Sequence, residues 1–462
     1  MLKFLARVIT GEKMKSNIFA YIMIISFLCA PAYSQFEEFA AKYDILTTIA
    51  GKGELDNGMS GWLDEYEGGL ATQAELSRPH FAMADSSGNI YIADKESHAI
   101  RKVTTDGIIT TVAGTNTAGD NGDGLATETQ LSSPNGIWVK PDGTFFILDL
   151  GNNKIRKVDK NGYLTTIVDD PSGIAIGRGL WVSQNEEEIY YVSGTRIKKW
   201  VKGEGIVTYV SGFRQPGNII VDPSGYLVVT DRGADLVYRI IHDTTKVVIA
   251  GNGLATGGGN GFQATETGLD GVRGIWFMED GSYLLATHEG SQIWYVDPSG
   301  IINLLLDGKD GDEYHSGDGE PFQSPGYKIS EARSVSMDYN GNILITENDF
   351  GFIRKIAKKH TTSINMSERR PEKIDLQVYP NPFNPQTEIQ YDIQHSTHVS
   401  IKIYNVLGSP IRTLVDKVEM AGYHVVTWDG KDDNQHVVAS GIYFCLMRAG
   451  SLIDTEKLLF VR

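Results

Sequence analysis

One line of this chain is written again and again. Its clearest copy is PHFAMADSSGNIYIADKESHAIRKVTTDGIITTVAG, from Pro79 to Gly114, and the next is PNGIWVKPDGTFFILDLGNNKIRKVDKNGYLTTIVD, from Pro134 to Asp169. Looser copies begin at Gly179, Pro216, Val272 and Ala332. A repeat of this length constrains the fold more than any other feature, because each unit must bury its face against its neighbours. The sixth copy, ARSVSMDYNGNILITENDFGFIRKIAKK, stops one phrase early. The missing phrase stands alone near the N-terminus: DILTTIAG (Asp44 to Gly51) matches GIITTVAG (Gly107 to Gly114).

Each unit reads as four short strands. Asp, Asn and Gly fill the first turn, where tight hairpins need positive φ or side-chain bonds to the backbone. Anchoring on that turn aligns Gly88, Gly143, Glu187, Gly225, Gly281 and Gly341, with the third copy lacking the glycine. Four-stranded units at this spacing predict a β-propeller of six blades. A solenoid would need capping ends, and none is visible. Counting last strands favours a ring: five units own one, the sixth does not, and one orphan precedes the first. The expectation is that Ile45 to Ala50 pairs with Phe352 to Ala357 as the outer strand of the sixth blade. Closure of this kind hides sheet edges.

The phrases GNIYIAD (Gly88 to Asp94), AIRKV (Ala99 to Val103) and ITTVAG (Ile109 to Gly114) resemble those of NHL-repeat propellers. The stretch DNGDGLATETQLSSP (Asp120 to Pro134) resembles the long inter-repeat insert of one bacterial NHL group, with similar inserts at 68–79, 257–270 and 316–332. The resemblance covers about residues 44–357 and implies a propeller. The third copy carries it least well.

The N-terminus reads as an export signal. Lys13 and Lys15 precede the apolar run IFAYIMIISFLC (Ile18 to Cys29), and small residues at Ala32 and Ser34 mark a cleavage site after Ser34. The run is too short to span a bilayer comfortably, and no second one follows. Met14, directly against that run, fits as a start better than Met1. Leu28 before Cys29 argues against a lipobox. Removal of 1–34 leaves Cys445 as the one remaining cysteine; neither a disulfide within the chain nor a cysteine-based zinc site can form. The net charge of −16 repels phosphate backbones and argues against nucleic acid.

Past the repeats, HTTSINMSERRPEK has no periodicity and reads as a linker, 358–374. Residues 375–462 then carry alternating runs: HVSIKIYNVLG, IRTLVD, AGYHVVTWDGKD, ASGIYFCLMRAG and EKLLFVR. Pro380, Pro382 and Pro385 exclude a central strand at 380–385, so this is an extended lead-in to a small Ig-like β-sandwich. Tyr379, Pro380, Asn381, Pro382 and Phe383, then Ile403-Tyr-Asn, Leu407-Gly408, Trp428-Asp-Gly, Ser440-Gly441-Ile-Tyr and Lys457-Leu-Leu, resemble the type A C-terminal sorting domain of the bacterial type IX secretion system. That resemblance implies the secretion machinery as a partner through 375–462, passage through the periplasm, and a mature protein outside the cell.

Propellers place ligands at the mouth of the central channel, where inner strands begin. The matching positions are His80, Asn135, Gly217, Arg273 and Arg333, with Leu180 or its neighbour in the third copy. His80, Asn135, Arg273 and Arg333 could hold an anionic or carbonyl group through directed hydrogen bonds. Solvated polar residues around a channel are the plainer reading.

Some similar propellers are lyases or lactonases that use converging metal ligands. Here His80 alone falls at the mouth; His98, His242, His288 and His315 fall elsewhere, and no H-x-x-x-H pair occurs. No metal or cofactor is expected. Asp120 and Asp123, and Asp307, Asp310 and Asp312, cluster as calcium ligands do but lack the full EF-hand pattern, and tight turns use the same residues. The recurring Asp94, Asp149 and Asp231 read as bonded to backbone amides. The pairs Arg101/Lys102 and Arg156/Lys157 read as solvated outer faces.

The whole predicts an all-β chain: a signal (1–34), a six-bladed propeller closed by its N-terminal strand (35–357), a linker (358–374) and a sorting sandwich (375–462). Its expected role is a secreted or cell-surface binding or adhesion scaffold for a protein, peptide or glycan. The alternative is a secreted hydrolase or lyase acting at the channel mouth.

Overall fold

The structure, a computed structural model, describes residues 35–53, 61–176, 178–241, 245–308, 315–359, 375–393, 397–419, 422–449 and 452–461. The signal (1–34) and residues 360–374 of the linker lie outside them. The chain divides into two compact units, 1–360 and 361–462.

Six antiparallel sheets build the first unit. Their innermost strands are Pro79–Ala84, Pro134–Val139, Leu180–Val182, Pro216–Val221, Val272–Phe277 and Ala332–Met337. These touch in that order, and the last touches the first. The unit is a closed six-bladed β-propeller. Its inner strands converge closely enough to require small residues: a Cβ on Gly274 would lie 2.9 Å from both Ala286 Cβ and Ser334 Cα of the next blade.

The orphan phrase closes the ring. Tyr43–Ala50 runs antiparallel to Phe352–Lys358, with Leu46 opposite Ile356 and Thr48 opposite Arg354. Leu46 and Ala50 are fully buried in the cores on either side, so the strand is held by packing as well as by its ladder. Just before it, a helical turn (35–40) lays Phe39 flat on Tyr295 of the fifth blade, ring centroids 4.0 Å apart.

In the third blade the turn glycine is replaced by Glu186, φ 61°, not Glu187. Its amide closes on Ser183 O at 3.0 Å, as Gly143 closes on Lys140 O at the same distance in the second blade. The register expected from sequence was therefore one residue late.

The view of Arg101 and Arg156 as solvated is overturned. Both are wholly buried, as is Arg354 of the sixth blade; Lys102 and Lys157 beside them are half-buried. A guanidinium cannot shed its charge, so burial demands an acid. Arg101 Nε donates to Asp94 at 3.1 Å, Arg156 Nε to Asp149 at 3.2 Å, and Arg354 Nη1 to Glu347 at 3.1 Å. The same acids accept backbone amides from the segment leading into their own blade: Ser77 N on Asp94, Ser132 N on Asp149, Ser330 N on Glu347. Asp231 does likewise with Arg214 and Gln215, without an arginine above it. The expected backbone role of these acids holds.

The inserts clamp outer strands. Gly124–Leu125 pairs with Tyr163–Asp169, Phe262–Gln263 with Ile301–Leu306, and Glu320–Pro321 with the N-terminal strand; Leu70 bridges Ile108. In three blades an insert acid binds the second threonine of the repeated Thr-Thr. Glu67 accepts from Thr111 N and Oγ1, Asp123 from Thr166 N and Oγ1, and Asp318 from Thr48 N and Oγ1. Asp123 and Asp318 also reach Arg156 and Arg354, each at 3.2 Å. The inserts thus fasten the rim of the ring.

The second unit is a two-sheet sandwich. One sheet orders Asp375–Tyr379, Thr387–Ile393 and Gly422–Trp428; the other orders Pro410–Glu419, Thr397–Asn405, Gly441–Ala449 and Leu452–Phe460. Trp428 is fully buried at its centre against Phe383, Tyr443 and Phe460.

Candidate functional site

In five blades the mouth of the channel is set by the second residue of the inner strand. His80 (8% exposed), Asn135 (5%) and Arg273 (3%) are buried there, and Arg333 is half-buried. His80, Asn135 and Arg333 line one cavity of about 270 Å³, with Arg78, Lys95, Leu150, Ile176, Arg178 and Asn348. Arg333 Nη1 lies 3.4 Å from His80 Nε2. Arg273 sits within charge-interaction range of His80, Arg178, Arg232 and Arg333, and of the Glu331 carboxylate. Its carbonyl is anchored by Thr230 Oγ1 at 2.7 Å. Gly217 adds no side chain, and a Cβ on it would lie 2.8 Å from that same carbonyl.

The third blade contributes Arg178. Leu180 itself is buried in the core between the second and third blades. The signal was in the sequence: Arg178-Gly-Leu-Trp lines up with Asn135-Gly-Ile-Trp and Arg273-Gly-Ile-Trp. Anchoring one residue late hid it.

Two acids answer part of this charge. Arg333 donates to Glu331 at 2.6 Å, and Arg232 of the fourth blade bonds Glu289. His288, distant from the mouth by repeat position, joins the two carboxylates: Nδ1 lies 3.3 Å from Glu289 and Nε2 3.3 Å from Glu331. Burial works to raise the Glu289 carboxyl, yet His288 and Arg232 outweigh it and hold the group at about 2. Glu331 is likewise held well below the usual range, with His288, Asp349 and Arg333 outweighing its burial.

Arg178 and Arg273 have no carboxylate in ion-pair contact among the described residues. Burial, then neighbouring arginines, against a smaller opposing pull from Glu289 on Arg178 and Glu331 on Arg273, pushes Arg178 down to about 10 and Arg273 well below its ordinary value; Arg178 stays charged at neutral pH. Burial, and then Arg273 and Arg333, push His80 well below its ordinary value, so its imidazole is neutral at pH 7.

The acidic clusters have their own partners. Asp120 binds Lys154 and Arg156, each at 2.6 Å, and Asp123 holds Arg156 and Thr166. Asp307 accepts from Gln292 Nε2 at 2.9 Å and from Gly308 N. Asp310 and Asp312 lie outside the described residues. Among the described residues, no group of three or more His, Cys, Asp or Glu is placed to hold a metal ion.

In the sandwich, the Tyr379 to Phe383 motif meets the last strand. Tyr379 pairs with Glu388, and Thr387 Oγ1 donates to Pro380 O at 2.7 Å. Asn381, joined to Pro382 by a cis peptide, donates to Lys457 O at 2.6 Å and accepts from Leu459 N at 2.8 Å. Phe383 N bonds Leu459 O. Gly408 takes φ 77° in the turn after Thr397–Asn405, and Gly441 opens the strand that pairs with Leu452–Phe460.

Comparisons with known proteins cover parts of the chain. Residues 384–451 match the FlgD Ig-like domain family. Over 105 residues, 20% of this chain, the sequence is 38% identical to Teneurin-3 of Mus musculus. The chain spans 4% of the length of that relative. Among solved structures, a protein of unknown function from Bacteroides thetaiotaomicron is 15% identical with a TM-score of 0.53, over 68% of this chain and 76% of that one. An auxiliary nutrient binding protein from the same organism is 14% identical with a TM-score of 0.51, over 68% and 77%. At such identity the likeness shows fold alone. Fold and comparisons together define the class: a β-propeller followed by an Ig-like domain. No helix among the described residues is long and apolar enough to cross a membrane.

Proposed function

We propose that this chain is an exported binding protein of the NHL-repeat kind, working outside the cell or on its surface. Its propeller (35–357) holds a ligand at the channel mouth, and its sandwich (375–462) is a type IX sorting domain that delivers it. The observation that carries the binding role is the excess of buried donors at the mouth. Arg178 and Arg273 converge there with His80, and the two carboxylates are already engaged by Arg232 and Arg333. A structural cluster satisfies its own charges; this one leaves two cations for something else to answer. The fold is shared with a solved protein described as nutrient-binding, the use we propose here.

The export half rests on the sorting-domain residues, of which Asn381 and Phe383 bond to the final strand around Lys457 and Leu459. The inserts lend nothing to binding in this reading, since they fasten outer strands. Export is tested by fractionating the native host expressing a form that lacks 375–462. The truncated protein should accumulate in the periplasm; delivery to the surface at normal levels would refute the assignment.

A further inference from the structure

The mouth arginines specify the chemistry of the ligand, an inference that rests on reading the mouth as the binding site. Among the described residues, Arg273 Nη1, Arg178 Nη1 and His80 Nδ1 are buried there without a hydrogen-bond partner. All three are donors. Arginine only donates, so its 3.4 Å contact with His80 Nε2 makes that nitrogen the acceptor. The proton of the neutral imidazole then sits on Nδ1, the orphan atom. Each empty position therefore asks for an oxygen lone pair.

Charge gives the second constraint. Arg333 has Glu331 and Arg232 has Glu289; among the described residues Arg178 and Arg273 have no carboxylate in ion-pair contact, and a buried unpaired guanidinium is strongly unfavourable. Valence gives the third. A carboxylate presents two oxygens, whose lone pairs three donors can largely satisfy. A phosphate would bury three terminal oxygens and leave several lone pairs unanswered, each at a cost. Size gives the fourth. A cavity of about 270 Å³ lies at the small end of ligand pockets, and Leu150 and Ile176 supply apolar wall beside the Asn135 amide.

We propose that the channel mouth is a receptor site for a small organic carboxylate. Arg178 and His80 Nδ1, on the cavity wall, donate to the carboxylate, Arg273, buried within charge range of both, supplies the second positive charge behind them, and the carbon body rests against Leu150 and Ile176. Arg333, already paired with Glu331, positions His80 through Nε2. A long polymer does not fit inside; one terminal acidic unit does.

The test titrates the chain lacking 1–34 with lactate, gluconate and glucuronate, each beside its uncharged counterpart (lactamide, or glucose for the two sugar acids). Inorganic phosphate and glucose 6-phosphate form a further arm, and calorimetry and melting temperature are the readouts. At least one carboxylate should bind and raise the melting temperature, while the neutral counterparts and the phosphates do not. Arg273→Gln should weaken that binding by about thirtyfold or more, the loss expected when one partner of a buried charge pair is removed. Arg273→Lys, which keeps charge but loses the fork, should fall between. The proposal is overturned if no carboxylate in the set binds, if a neutral counterpart or a phosphate binds as well as its carboxylate, or if Arg273→Gln folds and binds unchanged. Binding of another class of ligand at the mouth, with no carboxylate bound, would overturn this inference and leave the binding role standing.

Discussion

The propeller buries arginines in two places and treats them in opposite ways. On the spokes, Arg101, Arg156 and Arg354 each meet a buried acid on the neighbouring strand and further acceptors beyond it. Arg156 alone gathers Asp149, Thr166, Asp120 and Asp123. At the mouth, Arg178 and Arg273 have no carboxylate in ion-pair contact among the described residues; an unbonded nitrogen alone does not set them apart, since Arg354 Nε on its spoke also lacks a hydrogen-bond partner. The spokes show that this chain pairs a buried arginine when its purpose is to hold the fold. In the proposed function, the two left without a carboxylate at the mouth are answered by a ligand. Stability given up at a site in return for binding is a general pattern.

The contrast can be pressed from the spoke side first. Arg156→Met strands the Asp149 carboxylate in the core, and breaking one partner of a buried pair costs about 3–5 kcal/mol. Denaturant unfolding of the propeller should lose that much, and a loss below about 1 kcal/mol would show the pair to be dispensable. Asp123→Ala acts at the rim: it frees the insert from Thr166 and removes one of three acids from Arg156. The expected cost is about 1 kcal/mol, the scale of one partly exposed hydrogen-bonded contact. Hydrogen exchange should speed up in Tyr163–Asp169 and stay unchanged in the third blade, where among the described residues no insert strand pairs with Gly205–Ser211. Equal acceleration in both would contradict the clamp.

Much of this was written in the sequence in a readable form. The ring closure followed from counting last strands, and Tyr43–Ala50 lies where that count put it because Leu46 and Ala50 repeat the burial of Leu164 and Val168 in the second blade. The sandwich followed from alternation and prolines. What escaped was what depends on partners far away in the chain. Arg101 looks like a solvated residue beside Lys102 until Asp94 and the Trp62 ring, 3.6 Å from its guanidinium, enclose it. The insert acids looked like turn or calcium residues because nothing local reveals that Asp123 faces Thr166, 43 positions on. Arg178 was legible in the Arg-Gly-Leu-Trp match and was lost to a register shift at a turn where Glu186 stands in for glycine. His288 had no local signal: its two carboxylates, Glu289 and Glu331, come from different blades.

The central claim is that the mouth arginines serve a ligand and the spoke arginines serve the fold. It is tested most directly by unfolding two variants side by side without ligand, Arg156→Met and Arg273→Met. Both replace a buried guanidinium by a flexible apolar side chain of similar reach. The account predicts opposite signs: Arg156→Met falls in stability, whereas Arg273→Met holds or rises, by up to about 1–4 kcal/mol, because an unanswered charge leaves the interior. If Arg273→Met destabilises the propeller as much as Arg156→Met does, Arg273 is part of the scaffold and does not serve a ligand.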